Sequence, residues 1–104
     1  MAIRRACSYS ATIKTPEDPA EYTAIVATFS QGGNILVNKE LGDSGVTLEE
    51  DCVVVQLSQE ETLLFQPGSV ALFQIRCYKS TYEAPGSKVW AIDVYDSLNM
   101  EVLP

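Results

Sequence analysis

The chain contains no histidine. That absence excludes Ser-His-Asp and Cys-His catalysis, and histidine-ligated metal, within one chain. Basic residues are scarce: seven Lys and Arg stand against 14 Asp and Glu, a formal net charge of −7 and a sequence pI near 4.3. A chain this acidic is expected to repel nucleic acid and anionic membrane, because phosphate binding needs basic patches. No run of about 18 apolar residues is present, so no membrane-spanning helix is expected. Met1-Ala2-Ile3-Arg4-Arg5 is basic, yet no apolar stretch of about 7–15 residues follows, and it does not read as a secretory leader. Cytoplasmic synthesis is the expectation. The three cysteines, Cys7, Cys52 and Cys77, allow at most one internal disulfide. None stand in Cys-x-x-Cys spacing, which argues against zinc. They read as reduced thiols packed as small hydrophobes.

What is present is enough for one folded domain spanning 1–104. Hydrophobic residues make up 46% of the 104 positions and charged ones 20%. A chain of this length buries about 65% of its unfolded surface, so it needs no metal or disulfide to form a core. Disorder is excluded by the same composition.

Apolar residues recur with a period of two, the signature of strands. Ala6–Ile13 places Cys7, Tyr9, Ala11 and Ile13 on one face. Pro16 and Pro19 then end the strand, since proline cannot donate to a sheet ladder. Glu21–Ser30 puts Thr23, Ile25, Ala27 and Phe29 on one side and Tyr22, Ala24, Val26 and Thr28 on the other. Both sides are rather apolar, as in a strand covered twice or lying at an interface. Gln31-Gly32-Gly33-Asn34 supplies the positive φ of a tight hairpin, and Ile35–Glu40 returns as its partner. Leu41–Gly45 is a loop, Val46–Glu49 a short strand and Glu49-Glu50-Asp51 an acidic turn. Cys52–Leu57 is a strand with Val53, Val55 and Leu57 inward.

Ser58-Gln59-Glu60-Glu61 has the form of a capping box, in which Ser58 and Glu61 each accept from the other's backbone N–H. One or two helical turns are expected over Gln59–Phe65, with Leu64 and Phe65 closing one end of the core. Val70–Tyr78 is a strand with Ala71, Phe73, Ile75 and Cys77 inward. Lys79–Ser87 is a connection bearing Pro85-Gly86. Lys88–Tyr95 is the last strand, with Trp90, Ile92 and Val94 inward. Asp96–Pro104 reads equally as a helical turn or an edge strand. Six to eight short strands with one short helix and no long 3.6-residue periodicity predict an all-β, immunoglobulin-like sandwich. The expected core holds Ile25, Ala27, Phe29, Val53, Val55, Leu57, Leu64, Phe65, Phe73, Ile75, Trp90 and Ile92.

No constellation of catalytic residues emerges. The acidic clusters Glu49-Glu50-Asp51 and Glu60-Glu61 lie in turns, where adjacent carboxylates are solvated surface, and they match no calcium loop. Gly32-Gly33 lacks the lysine and helix of a phosphate loop, and there is no Gly-x-Ser-x-Gly elbow. No catalytic, cofactor-binding or metal-ligating residue is therefore assigned. Tyr22, Val26, Tyr78, Tyr82 and Tyr95 fall out of phase with the core and are the candidate interface residues, tyrosine being a large rigid contact of low entropy cost.

The segment Leu57-Ser58-Gln59-Glu60-Glu61-Thr62-Leu63-Leu64-Phe65, then Pro67-Gly68, Val70 and the Phe73-Gln74-Ile75-Arg76 strand, resembles small proteins encoded among the tail genes of phages and prophages of Gram-positive bacteria. The hairpin Ala24–Gln31 with Gly33 and Ile35 resembles the same proteins, Phe29 standing where they commonly carry tyrosine. The chain is similar to the N-terminal immunoglobulin-like domain of phage baseplate upper proteins. The resemblance implies a non-enzymatic tail or baseplate accessory acting through protein–protein contacts. It implies a homo-oligomer that meets other tail proteins, in the host cytoplasm during assembly or in the virion. The alternative for a β-sandwich is a carbohydrate-binding module, with Tyr78, Tyr82 and Tyr95 as the stacking group.

Overall fold

Gly32 and Gly33 adopt φ of 61° and 83° and turn the chain back on itself, so Ala24–Gln31 (β3) pairs antiparallel with Asn34–Glu40 (β4). The structure, a computed structural model, describes residues 2–15, 18–43, 45–79, 82–83 and 88–96. Pro16, Pro85-Gly86 and the tail over 97–104 lie outside the described residues. Leu36 is the extra residue of a bulge: Ser30 faces Ile35, whereas Phe29 faces Val37.

The remaining strands are Ala2–Arg4 (β1), Tyr9–Lys14 (β2), Val46–Leu48 (β5), Cys52–Leu57 (β6), Val70–Lys79 (β7), Tyr82–Glu83 (β8) and Lys88–Tyr95 (β9). They form a six-stranded sheet of order β1-β9-β7-β3-β4, with β8 paired to β7, and a three-stranded sheet of order β2-β6-β5. Four links cross between the layers, the first being the segment from β1 to β2. A single 3-10 turn at Pro19–Glu21, capped by the Asp18 carboxylate on the Ala20 N–H at 3.0 Å, leads into β3. The Leu41–Gly45 loop leads into β5. Helix α1 (Gln59–Thr62) leads from β6 to β7. With β2, β6 and β5 in one layer and β9, β7, β3 and β4 in the other, this is the strand arrangement of an immunoglobulin-type sandwich. Strand β1 runs parallel to β9, the one departure from antiparallel pairing among the described strands, and it lies outside the strands read from the sequence.

The core is built from the inward phase of each strand. Ala11 and Ile13, Ile25 and Ala27, Val53 and Val55, Ile75 and Cys77, and Ile92 and Val94 are all buried. At its centre is a cross-strand aromatic row. Phe29 stacks on Phe73 with centroids 4.4 Å apart, and Phe73 stacks on Trp90 at 5.4 Å. The edges of Tyr9 and Phe65 meet Phe29 at 6.4 and 6.2 Å. Trp90 is half-buried because β9 stands between β7 and the short β1, which spans only Asp93–Tyr95 of β9 and leaves Trp90 at the rim.

The capping box forms as the sequence requires: the Ser58 Oγ accepts from the Glu61 N–H at 3.2 Å, and the Glu61 carboxylate accepts from the Ser58 N–H at 2.8 Å. Helix α1 ends at Thr62, which is fully buried with its hydroxyl donated to the Gln59 carbonyl at 2.9 Å. The chain then tightens through turns closed on Glu61 and Thr62 carbonyls. This geometry corrects one expected core position. Phe65 turns inward and is fully buried, whereas Leu64 turns out and is 52% exposed.

Candidate docking face

In an antiparallel sheet covered on one side, outward positions are normally polar. The three-stranded sheet largely follows that rule: Ser10, Thr12, Lys14, Thr47 and Gln56 face outward and are exposed, with a half-buried Val54 between Thr12 and Thr47. The six-stranded sheet does not. Among its outward positions Ile35 is 69% exposed, Val89 56%, Val70 50% and Leu72 49%. Register brings them together. Ala91 pairs with Leu72, Leu72 with Ser30, and Ser30 with Ile35, one row across four strands. Val70 is two residues from Leu72 on β7, and Val89 is two residues from Ala91 on β9. The charged residues of this face, Arg4, Glu40, Arg76 and Asp93, lie mostly toward its two ends.

The five residues expected at an interface are placed differently from one another. Tyr22 is 5% exposed and belongs to the core cluster, which corrects its assignment. It precedes a bend at Thr23, and the strand alternation begins only at Ala24, so its phase does not continue that of Val26. Val26 is half-buried on the outer face between Arg76 and Glu40. The Tyr78 ring lies under the Arg76 guanidinium at 5.3 Å, and the Tyr95 ring under that of Arg4 at 5.4 Å. Tyr82 lies in β8 opposite Lys79. Val70 is opposite Asp93, so Tyr95 sits beyond one end of β7 and Tyr78 at the other. The eight residue steps from Val70 to Tyr78 span about 27 Å at roughly 3.4 Å per step, so Tyr78 and Tyr95 do not share one stacking platform. The sequence reading missed Ile35, Val70, Leu72 and Val89. Their signal was present as apolar residues on both phases of β7 and β9.

One recess borders this face and another lies at the edge between the two layers. The first, of about 530 Å³, is lined by Gln31, Asn34, Leu36, Leu64, Gln66 and Val70, and none of its lining residues is charged. Gln31 fixes it, donating to the Gln66 carbonyl at 2.9 Å and accepting from the Gln66 N–H at 2.6 Å. The other, of about 410 Å³, lies where β2, β4 and β6 meet α1. There Lys39 Nζ is 3.0 Å from the Glu61 carboxylate, joining the larger sheet to the helix. Burial alone would raise the Glu61 pKa, but hydrogen bonds from Ser58 and the charge of Lys39 outweigh it and hold the carboxyl below its usual range. Glu61 is thus engaged as helix cap and as a clasp between layers. The Tyr9 hydroxyl is buried beside this recess with no hydrogen-bond partner among the described residues, and burial raises its pKa.

Of the three thiols, Cys7 is exposed, and Cys52 and Cys77 are buried without a disulfide. Burial pushes the Cys52 thiol up, and its 3.5 Å hydrogen bond to Glu49 adds to the effect. No group of three His, Cys, Asp or Glu side chains suited to a metal ion occurs among the described residues. No helix among them is long and apolar enough to cross a membrane. No protein-family model matches the chain, and no curated protein matches it either.

Proposed function

We propose that the protein is a non-enzymatic structural or assembly protein of a phage or prophage tail, acting through protein–protein contacts on the outer face of its six-stranded sheet. The observation that carries the reading is the exposed row of Ile35, Leu72 and Ala91 with Val70 and Val89 beside it. Apolar side chains gathered on a sheet face, here broken only by Ser30 between Leu72 and Ile35, are costly to leave in water and mark an interaction surface. The likeness of the Gln59-Glu60-Glu61-Thr62 segment and the β3–β4 hairpin to phage tail-gene products supports the tail setting. The polar outer face of the other sheet supports a single docking side.

Co-expression with the products of the adjoining genes tests the reading. Co-elution of a tail component with the wild-type chain, lost on Leu72→Arg, is the expected result. Adjoining genes that specify no tail component, with no product co-eluting, overturn it.

A further inference from the structure

We propose that a second copy of this chain covers the outer face of the six-stranded sheet, the two sheets stacking face to face about a twofold axis. This inference rests on the reading of that face as a docking surface and names its occupant.

The area reaches what a specific pair needs. The main-path strands, of three to ten residues at about 3.4 Å per residue and about 4.8 Å apart, present about 590 Å² per copy, so the pair buries about 1,200 Å². Stable specific interfaces begin at about 1,200 Å² in total. The outer face of the three-stranded sheet is about half that size and falls below the threshold.

Charge also permits self-association on this face. The chain carries −7, yet the outward charges of the main-path strands β1, β9, β7, β3 and β4, Arg4 and Arg76 against Glu40 and Asp93, sum to zero. Two copies meet across it without the repulsion that the net charge imposes elsewhere. The distribution suits a twofold contact as well. The row of Ile35, Leu72 and Ala91 crosses the sheet near the hairpin end of β3 and β4, with Arg4 and Asp93 on one side of it and Arg76 with Glu40 on the other. An apolar centre with a polar rim is how packed interfaces are built, and a twofold operation lays each apolar row on its own counterpart.

Sedimentation velocity over a concentration series tests the proposal with the full chain. The expected mass is twice the 11.4 kDa of one copy, with a dissociation constant in the micromolar range typical of small interfaces. Leu72→Glu places a carboxylate in the middle of the apolar row and weakens the dimer by about tenfold or more. Thr12→Glu adds the same charge to the opposite outer face and leaves association unchanged. Circular dichroism confirms that each variant is folded, and Val89→Glu replaces Leu72→Glu if the latter is not. A single-copy mass at all concentrations up to about 100 µM overturns the proposal. So does a dimer that Leu72→Glu leaves intact, or one that Thr12→Glu disrupts as strongly. A monomer that still co-elutes with a tail component overturns the dimer and leaves the docking reading standing. A Leu72-dependent dimer with no such component does the reverse.

Discussion

The two sheets share one core and present opposite characters to water. Outward positions of β2, β5 and β6 include Ser10, Thr12, Lys14, Thr47 and Gln56 around one half-buried Val54, whereas those of β7 and β9 include Val70, Leu72, Val89 and Ala91. Alternation of polar and apolar residues is therefore kept by one layer with a single exception and broken by the other. Folding needs only one apolar face per sheet. The second apolar face on the larger sheet answers to something other than folding, and that is the physical content of the docking proposal.

The sharpest test of this contrast uses adjacent residues of β7. Phe73 is fully buried at the centre of the aromatic row, while Leu72 is half exposed on the other side of the same strand. Phe73→Ala is expected to cost about 3–5 kcal/mol, because it removes an aromatic ring and leaves a cavity. Leu72→Ala is expected to change stability by less than about 1 kcal/mol, as an exposed position does. Urea midpoints at matched, low protein concentration compare the two. Equal losses at both sites would mean that the outer face of the larger sheet is part of the folding core.

The inward half of this contrast was legible in the sequence. Cys52–Leu57 and Lys88–Tyr95 have the bounds that period two assigns, and the Ser58–Glu61 capping box forms with both of its hydrogen bonds. Period two is set by the backbone, so it survives burial on one side or both. Legibility ended where the backbone leaves that period. Tyr22 was read outward because the bend at Thr23 carries no glycine or proline to announce it. The start of the chain was missed for a related reason. Ala2–Arg4 is three residues long, and the turn after it passes through Ala6 at φ 64°, a left-handed position usually marked by glycine. Leu64 was read as buried because the phase of residues following a four-residue helix depends on the turn that ends it. The docking face was half legible: apolar residues on both phases of a strand were noted for β3, yet the densest outward group lies on β7 and β9. Only register shows that Ile35, Leu72 and Ala91 share one row.

The smaller sheet has its own weak point, at the edge strand β5. Gly45 sits at φ 95°, and a Cβ there would stand 2.8 Å from the Gln56 carbonyl oxygen and 2.9 Å from Lys39 Nζ. The lysine can move, but the carbonyl belongs to β6. Gly45→Ala is expected to destabilise by about 1–3 kcal/mol, combining left-handed strain with a backbone clash. A thermal melt reads the loss. An unchanged melting temperature would place the β5 edge outside the cooperative unit and make the two layers more unequal than their shared core suggests.

The joint between the layers is expected to give a smaller, pH-dependent effect. Glu61→Gln keeps the capping box, which accepts Gln as well as Glu, and removes the charge that meets Lys39 at 3.0 Å. The expected cost near neutral pH is about 0.5–1 kcal/mol, as for a partly exposed ion pair. The folded-state pKa of Glu61 lies below the ordinary 4.5. Its contribution is therefore fully present above that value and fades as pH falls through the lower folded pKa, where both states become protonated. The gap between wild type and Glu61→Gln should narrow from neutral pH to about pH 3 in paired urea titrations. A gap that stays constant or widens on acidification would show that Lys39 gains nothing from the carboxylate charge, leaving the helix cap as the sole role of Glu61.

The smallest expected effect separates the two outer faces most directly. Exchanging their chemistry, with Leu72→Thr on one and Thr12→Val on the other, should move stability by no more than about 0.5 kcal/mol in either case, since each position is exposed and each new residue suits a strand. Binding of a fluorescent apolar dye then reports the surfaces themselves. Leu72→Thr should lower it by interrupting the only apolar row on the described outer faces, and Thr12→Val should leave it nearly unchanged, because a valine paired with the half-buried Val54 and flanked by Ser10, Lys14 and Gln56 makes no extended patch. If Thr12→Val raised dye binding as much as Leu72→Thr lowered it, isolated apolar side chains would account for the signal. The continuous row across β4, β3, β7 and β9 would then have no special standing as a surface.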